Sequence, residues 1–145
     1  MRNNNPRMKT HSTNYQNTFI EVAKDCTADI GEMPPVKGDK KSVANYQFDL
    51  LYENPYQYTS DDIFFQVYAT RKELLPADLE AERAIFFSKG QPCFRASPLT
   101  KRYGWGIHSN ENGKVAMYAV ESEEYQKFVA DDSVKKVKAM RSKRG

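Results

Sequence analysis

Two runs of β-forming residues, Trp105-Gly-Ile-His108 and Val115-Ala-Met-Tyr-Ala-Val120, flank Ser109-Asn-Glu-Asn-Gly113. An Asn-Gly step between such runs signals a hairpin, because the turn needs residues that accept a positive φ. A hairpin pairs its strands antiparallel, so any sheet built here contains an antiparallel pair. No βαβ alternation and no Gly-rich phosphate turn accompanies it. The other periodic segments read mostly as helices. The fold class that follows is α+β: a small antiparallel sheet, including a hairpin near 104–120, with several helices packed against it.

Asn17-Thr-Phe-Ile-Glu-Val-Ala23 reads as a first strand, and the paired prolines of Gly31-Glu-Met-Pro-Pro-Val-Lys-Gly38 mark a loop. Asp39 can cap a helix to about Tyr52 that puts Val43, Tyr46, Gln47, Leu50 and Leu51 on one face. Tyr46, Phe48, Leu50 and Tyr52 also alternate, which leaves a strand open there. Thr59 or Ser60, followed by Asp61-Asp62, caps a helix through Ala69, with a buried strand as the alternative. Pro76 opens a helix over Ala77 to about Ser88, and Gly90 ends it. Ser122 caps a short helix carrying Tyr125, Phe128 and Val129. Val134, Val137 and Met140 suit one more short helix or an edge segment.

A chain of 145 residues fits one domain, and 39% apolar residues suffice for a core. Residues 1–16 are rich in Asn and basic side chains and read as a flexible lead-in to a single domain over 17–145. No run of about 18 apolar residues is present, so a membrane partner is not expected. The N-terminal residues lack an apolar signal core, which points to the cytoplasm. Cys26 and Cys93 belong to no Cys-x-x-Cys pair; a zinc ribbon or thioredoxin-like site is excluded, and free thiols are expected. The net charge of +3 is uneven. Six cations and no acid follow Ser133, which leaves 16 of the 22 cations against all 19 acids, a balance of −3, in the rest. A basic end on a mildly acidic body can be a solvated terminus or can reach an anionic surface.

The segment Gln91–His108 concentrates the unusual side chains, including the only Trp. Lys89, Arg95, Lys101 and Arg102 bring four cations with no acid between them, and Phe94, Tyr103 and Trp105 interleave flat rings. Guanidinium forks and stacking rings are how a phosphate joined to a base is held. The reading that follows is a binding module for an anionic ligand with a planar part, a nucleotide or single-stranded nucleic acid. Lys89, Arg95, Lys101, Arg102, Tyr103, Trp105 and His108 would be its ligand-binding residues. The competing reading makes Trp105 core and leaves the charges solvated. Gly104 and Gly106 fit either a concave ligand wall or a tight entry into the hairpin. Cys93 and His108 are the candidate catalytic residues of an alternative, a small enzyme with a thiolate and an imidazole base. A third reading is a protein–protein interaction domain using Tyr46, Tyr52, Tyr56 and Tyr58. The acids cluster at helix ends, where capping accounts for them, so no metal site and no cofactor is expected.

The strings Asn17-Thr-Phe-Ile-Glu-Val-Ala, Gly31-Glu-Met-Pro-Pro-Val-Lys, Ser88-Lys-Gly-Gln-Pro-Cys-Phe-Arg-Ala-Ser-Pro-Leu, Lys101-Arg-Tyr-Gly-Trp-Gly-Ile-His and Ala139-Met-Arg-Ser-Lys-Arg are similar to those of a family of small bacterial proteins known only as a domain of unknown function. The resemblance runs from about Thr13 to Arg144. It implies a bacterial, cytosolic, single-domain protein whose basic end is part of the domain. It carries over no activity, cofactor or catalytic residue.

Overall fold

The computed structural model describes residues 10–143. Residues 1–9 of the expected lead-in, and Arg144 of the basic end, lie outside the described residues. The sheet has four strands, β1 (Thr18–Glu21), β2 (Trp105–Ser109), β3 (Val115–Ala119) and β4 (Lys135–Lys138), in the order β3-β2-β1-β4. The hairpin β2–β3 and the β1–β2 pair are antiparallel, but β4 joins β1 in parallel. The fold is α+β as expected, and the sheet is mixed rather than wholly antiparallel. Segment 134–141, left between helix and edge by its spacing, supplies the edge strand.

Five helices accompany the sheet among the described residues: α1 (Val43–Glu53), α2 (Ser60–Lys72), α3 (Leu79–Phe86), α4 (Pro98–Lys101) and α5 (Glu123–Ala130). None is long and apolar enough to cross a membrane. The start of α1 corrects the expected Asp39 cap. Ser42 caps it: Asn45 N donates to the Ser42 hydroxyl at 3.2 Å, and Ser42 N donates to Asn45 Oδ1 at 2.8 Å. Such a reciprocal pair satisfies two orphan donors and outcompetes an isolated Asp three residues earlier. Thr59 and Asp62 form the same box at α2, which settles 60–72 as helix. The helix expected over 77–88 is shorter. A 3-10 turn, Pro76–Asp78, precedes α3, and Phe87 is buried just past its end.

The sheet is covered on both faces. Alternation along β1 sends Ile20 to one side, with Ile107 and Val115 against Phe48, Leu51, Ile63 and Leu99. Phe19 goes to the other side, against Tyr125, Val134 and Phe128 of α5 and its exit. Within the expected lead-in, residues 11 and 13 bond to α2 and to the end of α3. Thr13, 4% exposed, donates from its N and its hydroxyl to Asp61 Oδ1 at 2.7 Å each, and His11 N donates to the Phe87 carbonyl at 2.8 Å. The Asp61 carboxylate, which the sequence assigned to helix capping alone, captures the Thr13 donors.

Gly106 has no room for a side chain. A Cβ there would stand 2.5 Å from Phe19 Cζ and 2.6 Å from Tyr125 Cε2, both in the core. Gly106→Ala is therefore expected to destabilise the fold by about 1–3 kcal/mol, the usual cost of overpacking. Urea denaturation measures it, and a loss indistinguishable from zero would contradict this packing.

Candidate functional site

The α5 face of the hairpin carries a chain of hydrogen bonds that ends in an imidazole. The Tyr56 hydroxyl lies 2.7 Å from His108 Nδ1 and 2.9 Å from the Tyr118 hydroxyl. The Phe128 ring stacks on the His108 ring with centroids 4.1 Å apart. Three sequence-distant elements meet here because of register. His108 and Tyr118 point to the α5 face from β2 and β3, and Tyr56 arrives from the loop before α2. That loop is pinned to the β3 edge by Tyr56 N donating to the Val115 carbonyl at 2.8 Å and Val115 N donating to the Tyr58 carbonyl at 2.9 Å. Tyr56 adopts φ 60°, a left-handed conformation that L side chains avoid. A non-glycine residue held there is strain maintained by its surroundings.

His108 opens onto a cleft of about 440 Å³ between the β2–β3 turn and the end of α5. Its other walls include Asn17, Asn110, Glu111, Asn112 and Asp131. Asn17, at φ 48°, is the second left-handed residue of the site; its amide Nδ2 donates to the Ser133 carbonyl at 2.8 Å. His108 Nε2 has no hydrogen-bond partner among the described residues. The Asp131 carboxylate accepts from the Ser133 N at 2.9 Å and hydroxyl at 2.6 Å, and these bonds hold it below the usual carboxylate range. Burial, reinforced by the bond to Tyr118, pushes the Tyr56 phenol well above its ordinary range, so it stays a hydroxyl. The wall carries two carboxylates, and the nearby Lys136 ammonium donates to the Asp131 backbone carbonyl. No group of three His, Cys, Asp or Glu residues suited to a metal occurs among the described residues.

The residues singled out between 89 and 108 do not converge. Successive β2 side chains take opposite faces, so Trp105 joins the Phe48 side while His108 joins the α5 side. The Trp105 indole is half-buried, edge-on to Phe48 at 5.6 Å, and Nε1 donates to the Glu32 carbonyl at 2.8 Å. The wall expected at Gly104 and Gly106 is already occupied. A Cβ on Gly104, at φ 82°, would meet the Ile30 carbonyl oxygen at 2.4 Å, and Gly106 faces Phe19 and Tyr125. Tyr103 is half-buried against the core, Lys101 is half-buried at the end of α4, and Lys89 and Arg102 are exposed. Arg95 turns elsewhere: its Nε donates to the Lys138 carbonyl at 2.7 Å, and Met140 N donates to the Arg95 carbonyl at 2.8 Å. Cys93 and His108 form no dyad. The thiol lies 3.5 Å from the Tyr15 hydroxyl and lines a cavity between α1 and α2, on the other side of the sheet. Cys26 and Cys93 are both free, as expected. Of the four tyrosines, Tyr52 is 65% exposed, Tyr46 and Tyr58 are half-buried against the larger core, and Tyr56 is turned toward His108. A cavity of about 910 Å³ between α2 and α3 takes Tyr58 alone from the residues expected at a site.

Asp131 was missed as a member of a site, and Tyr56 was expected only on an interaction surface. Asp131 read as a helix-end acid, which it also is. Nothing local in Asn54-Pro-Tyr-Gln-Tyr announces a bond across 52 residues.

Burial lowers the His108 pKa from the ordinary 6.5, and the Asp131 carboxylate opposes this without cancelling it. Between that depressed value and 6.5 the unfolded chain binds more protons than the folded one. Stability therefore rises with pH across this window, is full above 6.5 and is lost as pH falls. His108→Gln is expected to flatten the dependence of melting temperature on pH below 6.5. Equal slopes for variant and parent would show that the imidazole is not desolvated.

Residues 10–145 match the profile of a family of unknown function, DUF6157. No curated protein and no solved structure matches the chain. With nearly all of its length covered by that profile, the chain belongs to the DUF6157 family.

Proposed function

We propose that the protein acts on a small polar molecule in the His108 cleft, with the imidazole as a neutral base. The observation that carries this reading is the Tyr56 hydroxyl, held by a strained backbone 2.7 Å from Nδ1, beside an Nε2 without a protein partner. When Nδ1–H donates to Tyr56 and Tyr56 donates to Tyr118, the lone pair stands on Nε2. The same direction survives protonation of the ring, since an imidazolium donates from both nitrogens. In that arrangement Tyr56 holds the tautomer, as an orienting partner does for a general base. The lowered pKa keeps the ring neutral at pH 7. Asp131 and Glu111 disfavour an anion in the cleft, so the molecule is uncharged or cationic.

Hydrolysis of p-nitrophenyl acetate is a probe for such a base. His108→Gln is expected to lose about 10²-fold or more of the rate. The rate of the parent should be half-maximal below pH 6.5, and p-nitrophenyl phosphate should be turned over less than the acetate. A variant as fast as the parent removes the proposal.

A second reading keeps the anionic ligand but moves it. The bonds of Arg95 Nε to the Lys138 carbonyl and of Met140 N to the Arg95 carbonyl set that side chain beside Lys138 and the segment carrying Arg141 and Lys143. Tyr15 is the ring next to Arg95. Glu21, paired with Lys138 at 3.2 Å, and Asp25, which accepts from the Ser142 and Lys143 N–H groups, offset part of this charge. An oligothymidylate should bind weakly at low salt and be released steeply as salt rises, with Arg141→Ala/Lys143→Ala reducing the slope. Fluorescence anisotropy reads this. Affinity that ignores both salt and the double substitution counts against the reading.

A further inference from the structure

The cavity that Cys93 lines has an unspent donor inside it. It measures about 280 Å³ and lies between α1, α2 and the segment 91–98, walled by Val43, Phe64, Val67 and Pro92. Gln47 of α1 also lines it and is 2% exposed. The Gln47 orientation is set by Ser97. The Ser97 hydroxyl accepts from Leu99 N at 3.1 Å and donates its own proton to Gln47 Oε1 at 2.7 Å. That leaves Nε2 as the other end of the amide, with no partner among the described residues. Buried amide donors are almost always satisfied. An apolar cavity wall with one unmatched N–H group is the form of a small-molecule site, in which apolar contact gives affinity and the lone polar group gives orientation.

We infer that this cavity binds a small apolar compound bearing one carbonyl oxygen, which accepts from Gln47 Nε2 while its body lies among Val43, Phe64 and Val67. Cys93 borders the bound molecule, and the exposed Arg71 stands at the mouth. The site is on the opposite side of the sheet from His108 and does not depend on the reading given to it.

The probes are benzamide, which has the acceptor, and toluene, which lacks it. The readout is alkylation of Cys93 by iodoacetamide, followed by peptide mass spectrometry to separate it from Cys26. Benzamide is expected to bind in the millimolar range and to slow alkylation of Cys93 but not of Cys26. Gln47→Leu is expected to weaken benzamide about tenfold or more while leaving toluene unchanged or tighter. Should Gln47→Leu not fold, Ala96→Leu, which adds bulk on another wall of the cavity, must abolish the benzamide effect. The inference is overturned if benzamide gives no protection, if Gln47→Leu affects both probes alike, or if protection persists in Ala96→Leu.

Discussion

The two-residue period of β2 governs everything else in this molecule. Five residues, Trp105 to Ser109, serve two separate interiors. Trp105 and Ile107 close the larger core under α1, α2 and α4, while Gly106 and His108 face α5. Gly106 lets Phe19 and Tyr125 come against the strand, and the imidazole beyond it meets Phe128 and Tyr56. A shift of one residue in register would exchange every one of these side chains, which is why a sheet covered on both sides tolerates no slip.

Trp105 owes its position to a second close approach. The loop carrying Ile30, Gly31 and Glu32 crosses the indole so tightly that a Cβ on Gly31 would be 2.9 Å from the ring. Glu32 N donates to the Tyr103 carbonyl at 2.8 Å, and the indole N–H returns a bond to the Glu32 carbonyl. The ring that sequence offered as a stacking surface for a base is thus covered in part by the chain's own backbone.

Features written in short-range chemistry were legible in the residues. The Asn-Gly turn announced the hairpin, Ser122 announced α5, and Thr59 or Ser60 before Asp61-Asp62 pointed to α2 with a strand left open. The start of α1 was misplaced because an Asp drew attention from a Ser-x-x-Asn box three residues on. The partner of β4 was not legible, since a parallel neighbour is chosen by the rest of the sheet and leaves no local mark. Of the site, His108 was visible as an unusual residue on a strand. Its relation to Tyr56 and Tyr118 required the β3 register and a left-handed turn, and neither follows from composition or spacing. The cluster of cations around Arg95 misled because adjacency along a chain says little about which way successive side chains point.

The place of β1 in the sheet bears on how the chain assembles. It is an inner strand, yet Thr18 pairs with Ser109 and with Lys135, so both of its neighbours come from the far end of the polypeptide. During synthesis the helical region emerges while Phe19 and Ile20 still lack their lateral partners. Loop closure over such separations is slow, and the nascent strand stays open to mispairing until residues 105–138 have left the ribosome. The lysines of β4, which leave the finished sheet with a charged outer edge, then seal a surface that no earlier segment could protect.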